Sequence, residues 1–158
     1  MYLTRELIRI EEFFNASPPL GEREKGEGES FEAGANVLFL GRVRESSREK
    51  RVLYLKYEAY EEMAERRLGE LAASSLVKWP LEGIRILHRL GRVALGEIAV
   101  AIEVRSVHRD AAYRASRYLI EEIKHKVPIW KKEYFADGTS EWSGCPAVIA
   151  GIKVKNWC

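Results

Sequence analysis

The chain is short of cysteine. Only Cys145 and Cys158 occur in 158 residues, both near the C-terminus. They form no CxxC pair and no disulfide framework, so they read as two free thiols in a reducing compartment. Long apolar runs are also missing, and no stretch approaches the roughly 20 residues of a membrane span. The N-terminus, MYLTRELIRIEEFF, sets acids among its apolar residues and has no cleavable apolar core. That excludes a secretory signal and points to the cytoplasm. Charge of one sign is scarce as well: 26 Lys and Arg stand against 24 Asp and Glu, a net +2. Polyanion binding by bulk charge is excluded, and any anion site must come from local clustering. His88, His108 and His125 lack metal-ligand spacing, so no metal is expected. No GxSxG, P-loop or GxGxxG stretch occurs, and no resident cofactor is expected.

What is there reads as one soluble domain, 1–158, with 46% hydrophobic and 32% charged residues and enough length for a core. SPPLGEREKGEGES (17–30) has little to bury and reads as a charged surface loop; 143–158 forms a C-terminal tail. Residues 2–7 suggest a short strand. Residues 8–15 suggest a short helix with Ile8, Phe13 and Phe14 inward. In ANVLFLGRVR (35–44), Val37, Phe39, Gly41 and Val43 share one face, and Leu38, Leu40, Arg42 and Arg44 share the other. After the charged turn ESSREK (45–50), the alternating segment 52–58 is expected to pair antiparallel with that first strand. Apolar residues at i, i+3, i+4 spacing predict a helix over Tyr60 to Trp79, stopped by Pro80.

Strands are predicted at 84–90 and 98–105, around a turn at 91–96. The second is apolar on both faces until Glu103 and should lie centrally. His88 alternates with Ile84 and Ile86 and reads as a satisfied, partly buried histidine. A helix at about 110–126, a strand at 129–134, a turn at 136–139 and an edge strand at 148–154 complete the order. The class is α+β: a split βαβ-type antiparallel sheet with helices on one face, hammerhead-like, plus additional short strands.

The stretch 106–133, SVHRDAAYRASRYLIEEIKHKVPIWKKE, carries cations at both ends of its helix. His108 and Arg109 stand at the positive end of the dipole, with Asp110 as the expected cap. Cations there are unfavourable unless an anion sits among them, so they are read either as a phosphate or carboxylate grip or as solvated surface charge. Lys124, Lys126, Lys131 and Lys132 stand at the other end, where the dipole alone explains them. Lys124 is expected near the buried edge of the helix. A lysine against an apolar, aromatic wall and near other cations becomes a proton carrier or nucleophile at neutral pH.

These residues resemble the molybdopterin synthase catalytic (large) subunit family. The resemblance runs from about Ala33 to Trp142 and rests on GANVLFLGRVR, YLKYEAYEEMAERRL, ILHRLGRVALGE, the 104–133 stretch and DGTSEW. Its most specific feature is S-x-HR, then a helix, then K-x3-P-x-WKKE. It implies transfer of sulfur to cyclic pyranopterin monophosphate, giving the dithiolene of molybdopterin. The donor is a thiocarboxylate on the C-terminal Gly-Gly of a small ubiquitin-like carrier subunit. Large subunits form a central homodimer with a carrier at each end, a heterotetramer. The family's two key lysines fall on Lys124 and Lys131, expected to be catalytic: Lys124 as acid/base or transient covalent partner, Lys131 as the group that positions the thiocarboxylate and its oxyanion. Substrate binding is expected from Phe39, Arg42, Arg44, His108, Arg109 and Lys132.

The turn ESSREK departs from the Asp-His-Asn-Gly-like family turn, the 17–30 loop is long and charged, and the tail after Trp142 matches no family pattern. In that tail only Lys153 and Lys155 offer basic groups. The leading reading involves no nucleic acid and no membrane. The alternative is a non-enzymatic phosphate- or RNA-binding module on the same basic cluster. It requires exposed aromatics on the sheet, whereas the aromatics are expected mostly on core faces.

Overall fold

A computed structural model describes residues 1–15 and 33–143. The 17–30 loop, the expected strand at 148–154, both cysteines, Lys153 and Lys155 lie outside the described residues. In chain order the elements are β1 (Leu3–Thr4), α1 (Ile10–Asn15), β2 (Ala35–Arg42), β3 (Ser46–Ser47), β4 (Lys50–Ala59), α2 (Glu61–Lys78), β5 (Leu81–Arg89), β6 (Gly91–Ala94), β7 (Ile98–Ser106), α3 (Arg109–Lys126), β8 (Ile129–Phe135) and β9 (Ser140–Ser143).

Both long helices end where proline dictates. Trp79 and Val127 each precede a proline and take extended backbone, because the proline ring disfavours helical geometry one residue earlier. Each helix lays an apolar stripe on one face of the sheet β1-β5-β7-β2. In α3 the stripe is Ala111, Ala112, Ala115, Ser116, Leu119 and Ile123. Leu68, Ile102 and Leu119 are fully buried, each contributing roughly 1.5–3 kcal/mol. The opposite face of this sheet is covered by Ile8 and Phe13, packed with Ile98, Ala101, Leu38, Leu40 and Leu87. As expected, β7 is central, with β5 on one side and β2 on the other.

The second sheet is β3-β4-β8-β9, with β6 also on β4. Two expectations fail here. Segment 52–58 does not pair with 35–44: β2 pairs with β7, and β4 with β8, β6 and β3. Segment 91–96 is not only a turn, since Gly91–Ala94 forms a strand on β4. The physical reason is coverage. β2 is apolar on both faces and needs cover on both, which only the first sheet offers, between α3 and the N-terminal segment. β4 buries Val52 and Leu55 but exposes Arg51, Leu53, Lys56 and Glu58, so it suits a sheet with one wet face. The α+β class stands; the single split βαβ sheet is divided into two.

The β3–β4 hairpin turns through Arg48 (φ 50°) and Glu49 (φ 65°), both in the left-handed region that favours glycine. Glu49 is exposed. Glu49→Gly should therefore raise stability by about 1 kcal/mol, read as a higher urea midpoint. An unchanged or lower midpoint would contradict a strained turn.

Candidate active site

The last turn of α3, the proline and the first residues of β8 bring the lysines to one end of the molecule. β7 runs into α3 through a two-residue connection, so α3 doubles back antiparallel over β7 and β2. β2 is antiparallel to β7, pairing Ala35 with Ser106 and Arg42 with Ile98. The Arg42 end of β2 thus lies under the C-terminal end of α3, together with Lys124. Arg42 and Arg44 are exposed there, flanking buried Val43, and Arg42 Nη1 donates to the Gly96 carbonyl at 2.8 Å. Phe39 is partly buried in the core beneath α3. Lys124 is exposed, not at a buried edge as expected.

Lys131 stands opposite Tyr57 of β4 and Ser143 of β9, and directly opposed residues share a face. That face is the inner one. Tyr57 packs on both main core clusters and meets His88 of the first sheet edge-on, rings 5.1 Å apart at 72°. Lys131 therefore sits at the seam between the sheets, its side chain 33% exposed. Its Nζ is paired with Glu133 Oε1 at 3.0 Å, so its surroundings are anionic, where the sequence suggested other cations. The Glu133 side chain is only 5% exposed, and its Oε2 accepts from the Ser47 hydroxyl at 2.9 Å. Burial pushes the Glu133 carboxyl up, but the Lys131 and Ser47 hydrogen bonds and the charges of Lys131 and Arg48 outweigh it and hold the group below the usual range. Burial, then the Glu133 charge, push the Tyr57 phenol up.

Lys132 lies one residue on and so faces the other way. It sits over the rings of Tyr134 (5.3 Å) and Trp142 (5.4 Å) on the outer face. Tyr54 stacks on Tyr134 there at 4.5 Å, with Arg92 over Tyr54. The chain's aromatics were expected mostly on core faces; alternation along β4 and β8 turns these outward.

His108 and Arg109 are exposed at the opposite end of α3. His108, not Asp110, is the cap residue, and it makes no side-chain cap bond. The helix starts at Arg109, which places Asp110 inside the first turn, where it pairs with Arg114 at 3.0 Å. The connection is held instead by Ser106, whose hydroxyl donates to the Pro80 carbonyl at 2.8 Å and accepts from the His108 N–H at 3.4 Å. Gly34 packs against this connection so closely that a Cβ would lie 2.6 Å from the Val107 carbonyl oxygen. α3 has 18 residues, about 27 Å. Within one chain, the His108–Arg109 pair and the two lysines cannot grip one small ligand.

The sequence profile of the MoaE protein family matches residues 18–126. The chain belongs to the MoaE protein family. It is 48% identical over 112 residues, 71% of either chain, to a molybdopterin synthase catalytic subunit of Halalkalibacterium halodurans. The crystal structure of molybdopterin synthase from Staphylococcus aureus superposes with a TM-score of 0.76 at 39% identity, covering 90% of this chain and 96% of that one. A complex of subunits 1 and 2 of the molybdopterin-converting factor from Helicobacter pylori superposes at 0.68 over 89% and 87% of the two chains; at 19% identity that likeness is one of fold.

Membership in the MoaE family makes this chain an enzyme subunit of molybdopterin synthesis. Sequence reasoning missed Glu133 and Ser47 as site residues. Glu133 was readable: in WKKE it is two residues from Lys131 and must share its face on a strand. Ser47 had no signal, because its contact spans 86 residues.

Proposed function

We propose that this chain is the sulfur-transferring catalytic subunit of a molybdopterin synthase. It acts in the cytoplasm, as one domain spanning 1–158. Sulfur arrives as the thiocarboxylate on the C-terminal Gly-Gly of a small ubiquitin-like carrier. It moves to cyclic pyranopterin monophosphate, and two such transfers make the dithiolene. The observation that supports this most is the half-buried Lys131–Glu133 pair at the sheet seam, beside the end of α3 that carries Lys124. The thiocarboxylate sulfur bonds to the pterin, and water then cleaves the bond between that sulfur and the carrier's carbonyl carbon, releasing the carrier as a carboxylate. The Lys131 ammonium, aimed by a buried carboxylate, stabilises the oxyanion of this tetrahedral step. Lys124 is more exposed and can reach an incoming substrate as acid/base or transient covalent partner. Arg44 and Arg42 lie on the lysine side and add cationic charge for the phosphate, with Phe39 beneath. Lys132 is turned to the outer face, over Tyr134 and Trp142, away from the Lys131 side of the strand.

His108 and Arg109 complete the phosphate grip only across a homodimer, because α3 separates them from the lysines of their own chain. A mixing experiment tests this. Lys131→Ala and Arg109→Ala subunits are each purified, then dissociated and re-paired with thiocarboxylated carrier and the cyclic pterin. A composite site regains about a quarter of wild-type dithiolene formation, since half of random dimers are mixed and one of their two sites is intact. No recovery in verified mixed dimers would overturn the shared site. No product from wild-type protein with bound carrier would overturn the function itself.

A second reading, RNA binding, draws support from one observation, the outer ladder of Arg92, Tyr54, Tyr134, Lys132 and Trp142. It expects RNA affinity that falls steeply with salt and does not respond to Lys131, which faces the other way.

A further inference from the structure

We propose that Ser47, on the short strand β3, is a positioning residue that aims Lys131 by way of Glu133. The inference rests on the catalytic role given to Lys131 above. Glu133 is nearly buried and its two carboxylate oxygens serve opposite neighbours: Oε1 takes Lys131 Nζ at 3.0 Å, and Oε2 takes the Ser47 hydroxyl at 2.9 Å. The last torsion of a glutamate is broad and soft. With one oxygen held, the carboxylate plane still swings; with both held, it is locked. Lys131 is a flexible four-carbon stem with a point charge, so the position of its ammonium is set by the oxygen it meets. Ser47 thereby sets Nζ without touching substrate.

The hairpin that carries Ser47 is itself anchored. Arg48 Nη1 meets Glu141 Oε2 at 3.1 Å; Lys50 Nζ meets Glu141 Oε1 at 3.2 Å, Thr139 Oγ1 at 3.3 Å and Asp137 Oδ2 at 3.6 Å. The Val52 N–H closes the hairpin onto the Glu45 carbonyl at 2.8 Å. Two consecutive non-glycine residues with positive φ persist only when their surroundings over-determine them, and such strain collects at functional sites. Here it keeps the serine at the carboxylate.

The test compares Ser47→Ala, Ser47→Thr, Glu133→Gln and the Ser47→Ala/Glu133→Gln pair in steady-state dithiolene formation, with thermal midpoints recorded for each. Ser47→Ala should lower kcat on the order of tenfold, with KM for carrier and pterin unchanged within about twofold. Ser47→Thr, which keeps the hydroxyl, should restore most of the rate. In the Glu133→Gln background, removing the hydroxyl should cost nothing further, because the two act as one unit. Full activity of Ser47→Ala, or an equal loss with and without Glu133, overturns the proposal. A readout independent of turnover separates it from the functional reading: the Lys131 ammonium resonance in 15N-lysine protein. It should broaden in Ser47→Ala and recover in Ser47→Thr. If it does so while wild-type protein makes no dithiolene, the catalytic reading fails and the positioning contact stands; if the resonance ignores Ser47, the positioning contact fails.

Discussion

Lys131→Ala should lower dithiolene formation by roughly 10² to 10⁴, the range for removing a group that carries a proton or stabilises an oxyanion in the transition state. In the proposed site the loss should fall on kcat, since Lys131 is assigned to the reacting group and Arg42 and Arg44 to the phosphate. A stability effect accompanies it. Glu133, nearly buried, loses its cation and becomes an uncompensated charge. The two effects separate in the Lys131→Ala/Glu133→Gln protein, which carries neither charge. Its thermal midpoint should recover toward wild type while its rate stays at the level of Lys131→Ala. A recovered rate would mean that Lys131 matters only for holding Glu133. Lys124→Ala should be similarly slow but neutral for stability, because Lys124 is exposed. A Lys124→Ala protein with full sulfur transfer would remove that lysine from the mechanism.

Acid should weaken the fold through His88 before the carboxylates respond. Burial pushes the His88 imidazole down to about 4 from its ordinary 6.5, against the hydrogen bond from Nδ1–H to the Arg89 carbonyl at 3.0 Å, which raises it. The unfolded chain therefore binds a proton that the folded chain refuses. The stability tied to this is fully present above pH 6.5, is lost progressively as pH falls from 6.5 to about 4, and changes no further below. At 1.36 kcal/mol per pH unit the loss is about 3 kcal/mol. Glu97, Glu133 and Asp137 are each held below their usual carboxylate range, so what they contribute is lost only below about pH 4.5, in a later window. Urea midpoints at pH 7 and pH 4.5 isolate the histidine. Wild type should lose most of that 3 kcal/mol, and His88→Asn, whose amide N–H can replace the Nδ1 donor, should lose much less. Equal losses in the two proteins would refute the assignment.

The helices were legible almost to the residue. The 60–79 expectation became Glu61–Lys78 with Tyr60 and Trp79 at its ends, and 110–126 became Arg109–Lys126. Periodicity near 3.6 and a following proline are local signals, carried by the residues themselves. Along 60–79 the buried stripe is Ala64, Leu68, Leu71, Ala72 and Ser75, whereas the apolar Tyr60 and Leu76 are exposed. Strand positions were legible for the same reason, and so was His88, buried by its alternation with Ile84 and Ile86. β9 was missed because four residues reading SEWS show no alternation of apolar and polar positions. Asp110 was misread as a cap because an acidic residue suits both the cap and the first turn, and a one-residue shift of the helix start decides between them.

By itself, the sequence determined where the elements lie, which face of each is apolar, and which cations stand at the ends of the 106–133 stretch. Partnership was decided by the tertiary structure. The strand period says that Lys131 and Lys132 face opposite ways; only the packing of β4, β6 and β8 against the first sheet says that Lys131 has the inner side. The helix period places Arg109 and Lys124 on one helix; only the antiparallel run of α3 over β7 and β2 puts the Arg42 end of β2 at the Lys124 end of α3 and sets His108 and Arg109 at the far end. Ser47 meets Glu133 across 86 residues. Local patterns follow from each residue's own geometry, whereas such a pair follows from which strands the whole chain can cover on both faces, and no short window of sequence holds that information.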